Sequence, residues 1–116
     1  MKRLLILALL AFFLTMCEKD PETGDIRIIF EYDGTNQEDV ECTLYNSWEN
    51  FVTFTFLEEQ VSDEFGEVNF TGLLPGWYYF EGVKEFSSMF SVYAMDSIKV
   101  EALQQSNKKA ILYPDK

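Results

Sequence analysis

Twenty carboxylates and no histidine set the chemistry open to this chain of 116 residues. Without imidazole there is no His-based catalytic triad, no His-ligated metal site and no ordinary proton shuttle near neutral pH. Paired carboxylates can hydrolyse glycosides. In a chain this rich in acids, however, such pairs arise by chance, and a small domain has little room for a deep cleft. Cys17 and Cys42 are the only thiols, and neither has a histidine to activate it as a nucleophile. Asp33, Asn36, Glu38 and Asp39 share one loop and offer hard oxygens of the kind calcium takes. Their spacing is not that of an EF-hand, and a solvated turn explains them as well. There is no Gly-rich phosphate loop and no basic aromatic patch for nucleic acid. The expectation is a non-enzyme with no catalytic residue, no metal and no cofactor.

What remains is anchoring and contact. Met1-Lys2-Arg3 precedes thirteen residues, Leu4 to Met16, that are all apolar except Thr15. That is the basic start and short apolar core of a secretory signal. At about 1.5 Å per helical residue it spans about 20 Å, short of the about 30 Å of a bilayer core. Leu14-Thr15-Met16-Cys17 resembles the bacterial lipobox, although that family prefers a small residue where Met16 stands. The resemblance implies that residues 1–16 are removed and that Cys17 becomes the first mature residue and carries the lipid, palmitate included. Glu18-Lys19-Asp20-Pro21-Glu22 resembles the export signal of surface-exposed outer-membrane lipoproteins. The net charge is −11; removing Lys2 and Arg3 takes two positives and no acids, leaving −13. Such a chain repels nucleic acid and anionic lipid.

The elements that would position a contact surface are strands. From Asp25 the apolar period is two, not 3.6. Ile26, Ile28 and Phe30 form one phase, then Val40, Cys42 and Leu44, which places Cys42 in the core as a structural thiol. Asp33-Gly34 marks a turn. Asn46 to Asn50 reads as a loop holding Trp48, and Phe51 to Leu57 as a strand. Val68 and Phe70 alternate after the Asp63–Gly66 turn. Trp77 to Val83 and Met89 to Met95 are further strands. Asp96-Ser97 interrupts, Ile98 and Val100 resume, Gln104 to Asn107 is a turn, and Lys108 to Tyr113 closes the chain. Seven or eight short strands without a convincing amphipathic helix predict an all-β sandwich or small barrel over residues 25–114, joined to Cys17 by a linker at 17–24. The 16% aromatic content gives this domain large side chains to bury without disulfides or metal.

Residues 61–80 carry a second resemblance. Gly66, Val68, Phe70, Leu73, Pro75, Gly76 and Tyr78 follow the pattern of transthyretin-like (prealbumin-like) sandwich domains, including carboxypeptidase regulatory-like and Cna-B-type modules. The pattern is an acidic-Gly turn, an alternating strand, a Leu-Pro-Gly turn and a tyrosine two residues on. The resemblance implies a seven- to eight-stranded transthyretin-like β-sandwich that serves as a stalk, spacer or binding module. Pro75 and Gly76 suit a type II turn. Many Cna-B-type modules carry a Lys–Asn isopeptide bond from the first strand. Arg27 stands in that strand here, no lysine does, and guanidinium stays protonated, so no such bond is expected.

If Tyr78 and Phe80 face inward, Trp77 and Tyr79 face outward. With Trp48 they are the candidate contact residues. The chain therefore reads as a non-catalytic, membrane-anchored envelope lipoprotein acting in adhesion, as a stalk or in assembly. The alternative is a glycan-binding surface module using exposed aromatics. The expected partners are a membrane, through the lipid, and an envelope protein or glycan. Cys17→Ser is predicted to release the protein from membranes or to leave uncleaved precursor. Cell fractionation and mass spectrometry of the mature N-terminus read this directly, and a lipid-free mature chain starting elsewhere contradicts it.

Overall fold

The computed structural model describes residues 22–114. Alternation builds the first strand, β1 (Gly24–Tyr32), in which Ile26, Ile28 and Phe30 are wholly buried. Asp33-Gly34, with φ of 52° and 81°, forms a type I′ hairpin turn into β2 (Thr35–Asn36). There follow β3 (Glu41–Tyr45), a single helical turn α1 (Trp48–Val52), β4 (Glu58–Val61), β5 (Glu67–Leu73), β6 (Gly76–Ser87), β7 (Phe90–Val100), β8 (Gln105–Ile111) and β9 (Tyr113–Pro114). In the first sheet β1 pairs antiparallel with β5 and β2 and in parallel with β8. The second sheet runs β4-β3-β6-β7-β9, antiparallel throughout. The two sheets form a sandwich.

The core lies between them and is set by one large ring. Phe30 meets Phe80 of the facing sheet edge-on, with centroids 6.1 Å apart and planes at 80°. Beside Phe80, β6 carries Gly82, and the Phe30 ring fills the space that a side chain would take there. A Cβ on Gly82 would stand only 2.3 Å from that ring. The backbone is fixed at the same point, because Phe30 N–H donates to Gly66 O and Gln37 N–H donates to Phe30 O. Gly66 has φ +78°, and a Cβ on it would press to 2.7 Å from Phe30 O, so glycine is required there. Cys42 is fully buried. Burial, with the Glu59 charge as a smaller cause, pushes its thiol far up, which makes it an inert packing group.

The inward phase of β6 is as expected: Tyr78 and Phe80 are buried and Trp77 is exposed. The Tyr78 hydroxyl donates to Leu74 O at 2.7 Å, so the tyrosine fastens the Leu-Pro-Gly turn from inside. That turn is not type II, since Gly76 has φ 149° rather than about +80°. Three other expectations are corrected. Gln104–Asn107 is not a turn, because Gln105 to Asn107 pair with Asp25 to Arg27 at the start of β8. Phe51–Leu57 is not a strand: Ser47 caps a helical turn through Val52, Phe54 takes φ 58°, and Phe54 and Phe56 are exposed. The pairing strand is Glu58–Val61, whose polar composition hid it. The strands expected at Met89–Met95 and Ile98–Val100 are one, Phe90–Val100, because Asp96 and Ser97 stay in register with Phe80 and Tyr79, and Met89 lies in the turn before it. The count is nine, two of them two-residue strands, against seven or eight expected.

Gly82→Ala is predicted to destabilise the domain by about 1–3 kcal/mol through overpacking. Urea unfolding should shift in midpoint with an unchanged slope. Combining it with Phe30→Leu should cost less than the sum of the two single losses, because the smaller side chain vacates the contested space.

Candidate functional site

The three aromatic residues expected at the surface lie on one face, the outer face of the second sheet. α1 brings Trp48 there. Ser47 is its N-cap, extended at ψ 160°, with Oγ accepting the Asn50 N–H at 3.0 Å. One helical turn places Trp48 and Phe51 on the same side. Phe51 packs edge-on against buried Tyr45 at 5.1 Å, and Trp48 lies 5.3 Å from Phe51 and 5.7 Å from Tyr79. Tyr45 and Tyr79 are register partners on β3 and β6. Tyr45 therefore shares the outer face with Tyr79, buried there beneath Phe51, and the four rings form a string along that face.

Trp48 is exposed, but as the first residue of a helix and not in an open loop. Tyr79 points outward and is half-buried, because the Trp48 ring leans on it. Trp77, two residues earlier on the same strand, is 56% exposed and stands opposite Lys99. Beyond Tyr79 a groove of about 260 Å³ is lined by Trp48, Phe51, Tyr79, Met95, Asp96 and Ser97. Burial pushes the Asp96 carboxyl up, but hydrogen bonds from Lys108 and the Ser97 N–H outweigh it and hold the group below its ordinary value. Asp96 also forms an ion pair with Lys108 at 3.0 Å. The groove therefore combines flat apolar walls with a fixed charged rim. Such an arrangement can hold a flat apolar face and orient hydroxyl groups. It contains no activated nucleophile.

Phe51 and Met95 belong to this surface and were not expected there. Phe51 was hidden in an apparent strand; the helix-capping serine at 47 is its only sequence signal. A second ring cluster, Tyr32, Phe86 and Phe90, lies at the β6–β7 hairpin, with centroids 5.6 to 6.2 Å apart. Lys84 sits 5.0 Å from the Phe86 ring and donates to Gln37 Oε1. The oxygen-rich loop is dispersed: Asp33 lies in the hairpin turn, Asn36 in β2, and the Asp39 N–H is bonded to Ser62 O. Among the described residues no three acids or thiols converge on one point. No described helix is long and apolar enough to cross a membrane. Cys17 lies outside the described residues.

The sheet edges carry features that hinder added strands. β4 opens with Glu58 and Glu59, β9 is two residues ending in proline, and β8 carries Lys108 and Lys109. On β7 the Asp96 carboxylate takes the Ser97 N–H. On β5 the Asn69 N–H is met by the Gln60 side chain.

No family model matches the chain, and no curated protein does. Solved structures that share its fold include the following two. One, from Pseudomonas aeruginosa, is described provisionally as a carbohydrate-binding protein; it is 12% identical, with a TM-score of 0.59, over 80% of this chain and 90% of that one. The other is a minor pilin of the Gram-positive pathogen Streptococcus agalactiae, 16% identical, with a TM-score of 0.56, over 82% of this chain and 47% of that one. At these identities the likeness concerns the fold, an all-β sandwich.

Ser47→Ala is predicted to cost about 1 kcal/mol, the usual loss for a helix cap. It should also free the Trp48 ring, seen as weaker near-ultraviolet circular dichroism and faster depolarisation of tryptophan fluorescence.

Proposed function

We propose that this chain is a non-catalytic surface module of the cell envelope, held to a membrane by a lipid on Cys17, whose aromatic groove receives a neutral glycan. The envelope assignment is supported by the basic start, the short apolar run and the lipobox-like Leu14–Cys17. The acidic residues and Lys19 just past it support outer-membrane, surface-exposed placement. On this reading residues 1–16 are the signal peptide, 17–24 the lipidated linker and 25–114 the sandwich.

The observation that carries the glycan reading is Trp77, more than half exposed on a flat sheet face beside Lys99, Ser97 and the Trp48–Tyr79 groove. An open indole there stacks on the C–H face of a sugar ring, while Asp96, Ser97 and Lys99 supply hydrogen bonds to hydroxyls. The groove has room for one such ring. A mature charge near −13 disfavours anionic polysaccharides. The carbohydrate-binding description of one structural neighbour agrees with this reading, and the pilin neighbour agrees with a role in adhesion or assembly. Docking by strand addition has less support, because the sheet edges are short, charged or capped.

Calorimetric titration of the protein with neutral hexose oligosaccharides, cellohexaose and chitohexaose among them, tests the proposal. Trp77→Ser should leave stability within about 1 kcal/mol. It should weaken glycan binding by about 2 kcal/mol, roughly 30-fold. Tryptophan emission that no neutral oligosaccharide perturbs rejects the glycan reading and leaves the anchoring reading standing.

A further inference from the structure

β1 is the strand that leads directly from the N-terminal linker, and it is held on both sides. Residues 26–29 pair with β5 and with β8 at once, so the two neighbours must flank it. The β8 ladder is parallel and unbroken, from Asp25↔Gln105 to Glu31↔Ile111. It is extended at its start by Asp25 N–H to Gln104 O at 3.0 Å and Leu103 N–H to Thr23 O at 2.8 Å. The β5 ladder is antiparallel, from Gly24↔Leu73 to Ile29↔Glu67. Ion pairs tie β1 across both ladders, Arg27 to Glu67 at 2.8 Å and Lys109 to Glu31 at 2.9 Å.

The inner face adds a mechanical stop. Ile26, Ile28 and Phe30 are wholly buried, and the Phe30 ring sits in the gap over Gly82. A slip of one residue would turn these side chains to the outer face, and a slip of two would drive the ring out of its gap. β1 also runs away from its point of entry. Its far end, Tyr32, packs against Phe86 and Phe90 of the β6–β7 hairpin, where Met89 is 94% exposed.

A pull on residue 24 therefore acts along the axis of β1. Ladder hydrogen bonds lie roughly across that axis, so such a pull loads both ladders together, in shear. When the domain is held at the far end of β1, by the β6–β7 hairpin, β1 leaves only by breaking them in one event. Peeling β1 from β8 at the Gly24 end would instead break bonds one at a time. We infer that β1 is a mechanical clamp, and that the domain's further function is to bear tension between its N-terminal attachment and whatever its surface grips. The clamp is a property of the strand arrangement alone. Its use in the cell rests on the lipid tether.

Single-molecule force spectroscopy on the full chain tests it. The chain is produced without export, so that Cys17 keeps a free thiol for one handle, and buried Cys42 does not compete. A second handle on Met89→Cys pulls β1 in shear. A second handle on Leu103→Cys, an exposed site beside Thr23, peels the same ladder. At one loading rate the shear geometry should need several-fold more force. Equal forces overturn the inference. Gln105→Cys repeats the peeling arm if Leu103→Cys fails to fold, and matching urea midpoints show that the handles left the domain intact. Since the chain is unlipidated, failure here leaves the Cys17 anchor untouched, and failure of the anchor leaves this result untouched.

Discussion

The seating of the Phe30 ring over Gly82 is the contact on which the rest of this structure depends. It fixes the spacing of the two sheets, because a ring on one strand occupies the place of a missing side chain on the other. It fixes register, because only one alignment of β1 puts that ring opposite that glycine. It also links the two stretches of the first sheet. Phe30 lies between the residues of β1 that pair with β5 and those that pair with β2, and its own backbone bonds to Gly66 and Gln37 bridge them. No disulfide joins the described sheets, and the described thiol, Cys42, is free and buried. Shape complementarity of this kind carries the specificity that a covalent staple supplies in many small exported domains.

The aromatic residues divide into two populations with different work. Phe30, Phe70 and Phe80 fill the core. Tyr45, Phe51, Trp48 and Tyr79 form a contiguous string on the outer face of the second sheet, and Trp77 is exposed on the same face. A ring string of that kind is rigid, because each member rests on the one beneath it. A surface so built presents a ligand with little side-chain entropy still to lose. The same sheet carries charged or capped residues along its edges.

Much of this was legible in the residues. Alternation placed Ile26, Ile28, Phe30, Val40, Cys42, Leu44, Val68, Phe70, Tyr78 and Phe80 inside, since half-buried strands impose a period of two. The Asp33-Gly34 dipeptide marked a turn, since both residues tolerate positive φ, but the residues that follow it read as loop, where the structure has the short strand Thr35–Asn36. The stretch from Phe51 to Leu57 misled, because alternating aromatic and threonine residues imitate a strand. What decided the matter was the Ser47 cap and a left-handed Phe54, and neither leaves a periodic trace. Glu58–Val61 was silent, because an edge strand that faces water on much of its surface has few apolar residues to alternate. In the candidate site the phase of β6 placed Trp77 correctly. It could not show that Trp48 covers Tyr79, a contact between residues 31 positions apart.

The parallel pairing of the first and last long strands also dictates an order of assembly. β1 meets β5 about 40 residues later and β8 about 80 residues later. Both pairings require closing long loops before any contact repays the cost. High contact order of this kind slows folding and postpones it until the C-terminal strand is available. A ribosome delivers β1 first and β8 near the end, so the nascent chain holds one side of its first strand without its β8 partner until synthesis is nearly complete. That delay suits the export proposed for this chain, because a translocation channel must receive it unfolded. The topology that resists withdrawal of β1 once the domain is complete also keeps the chain loose while it is being made.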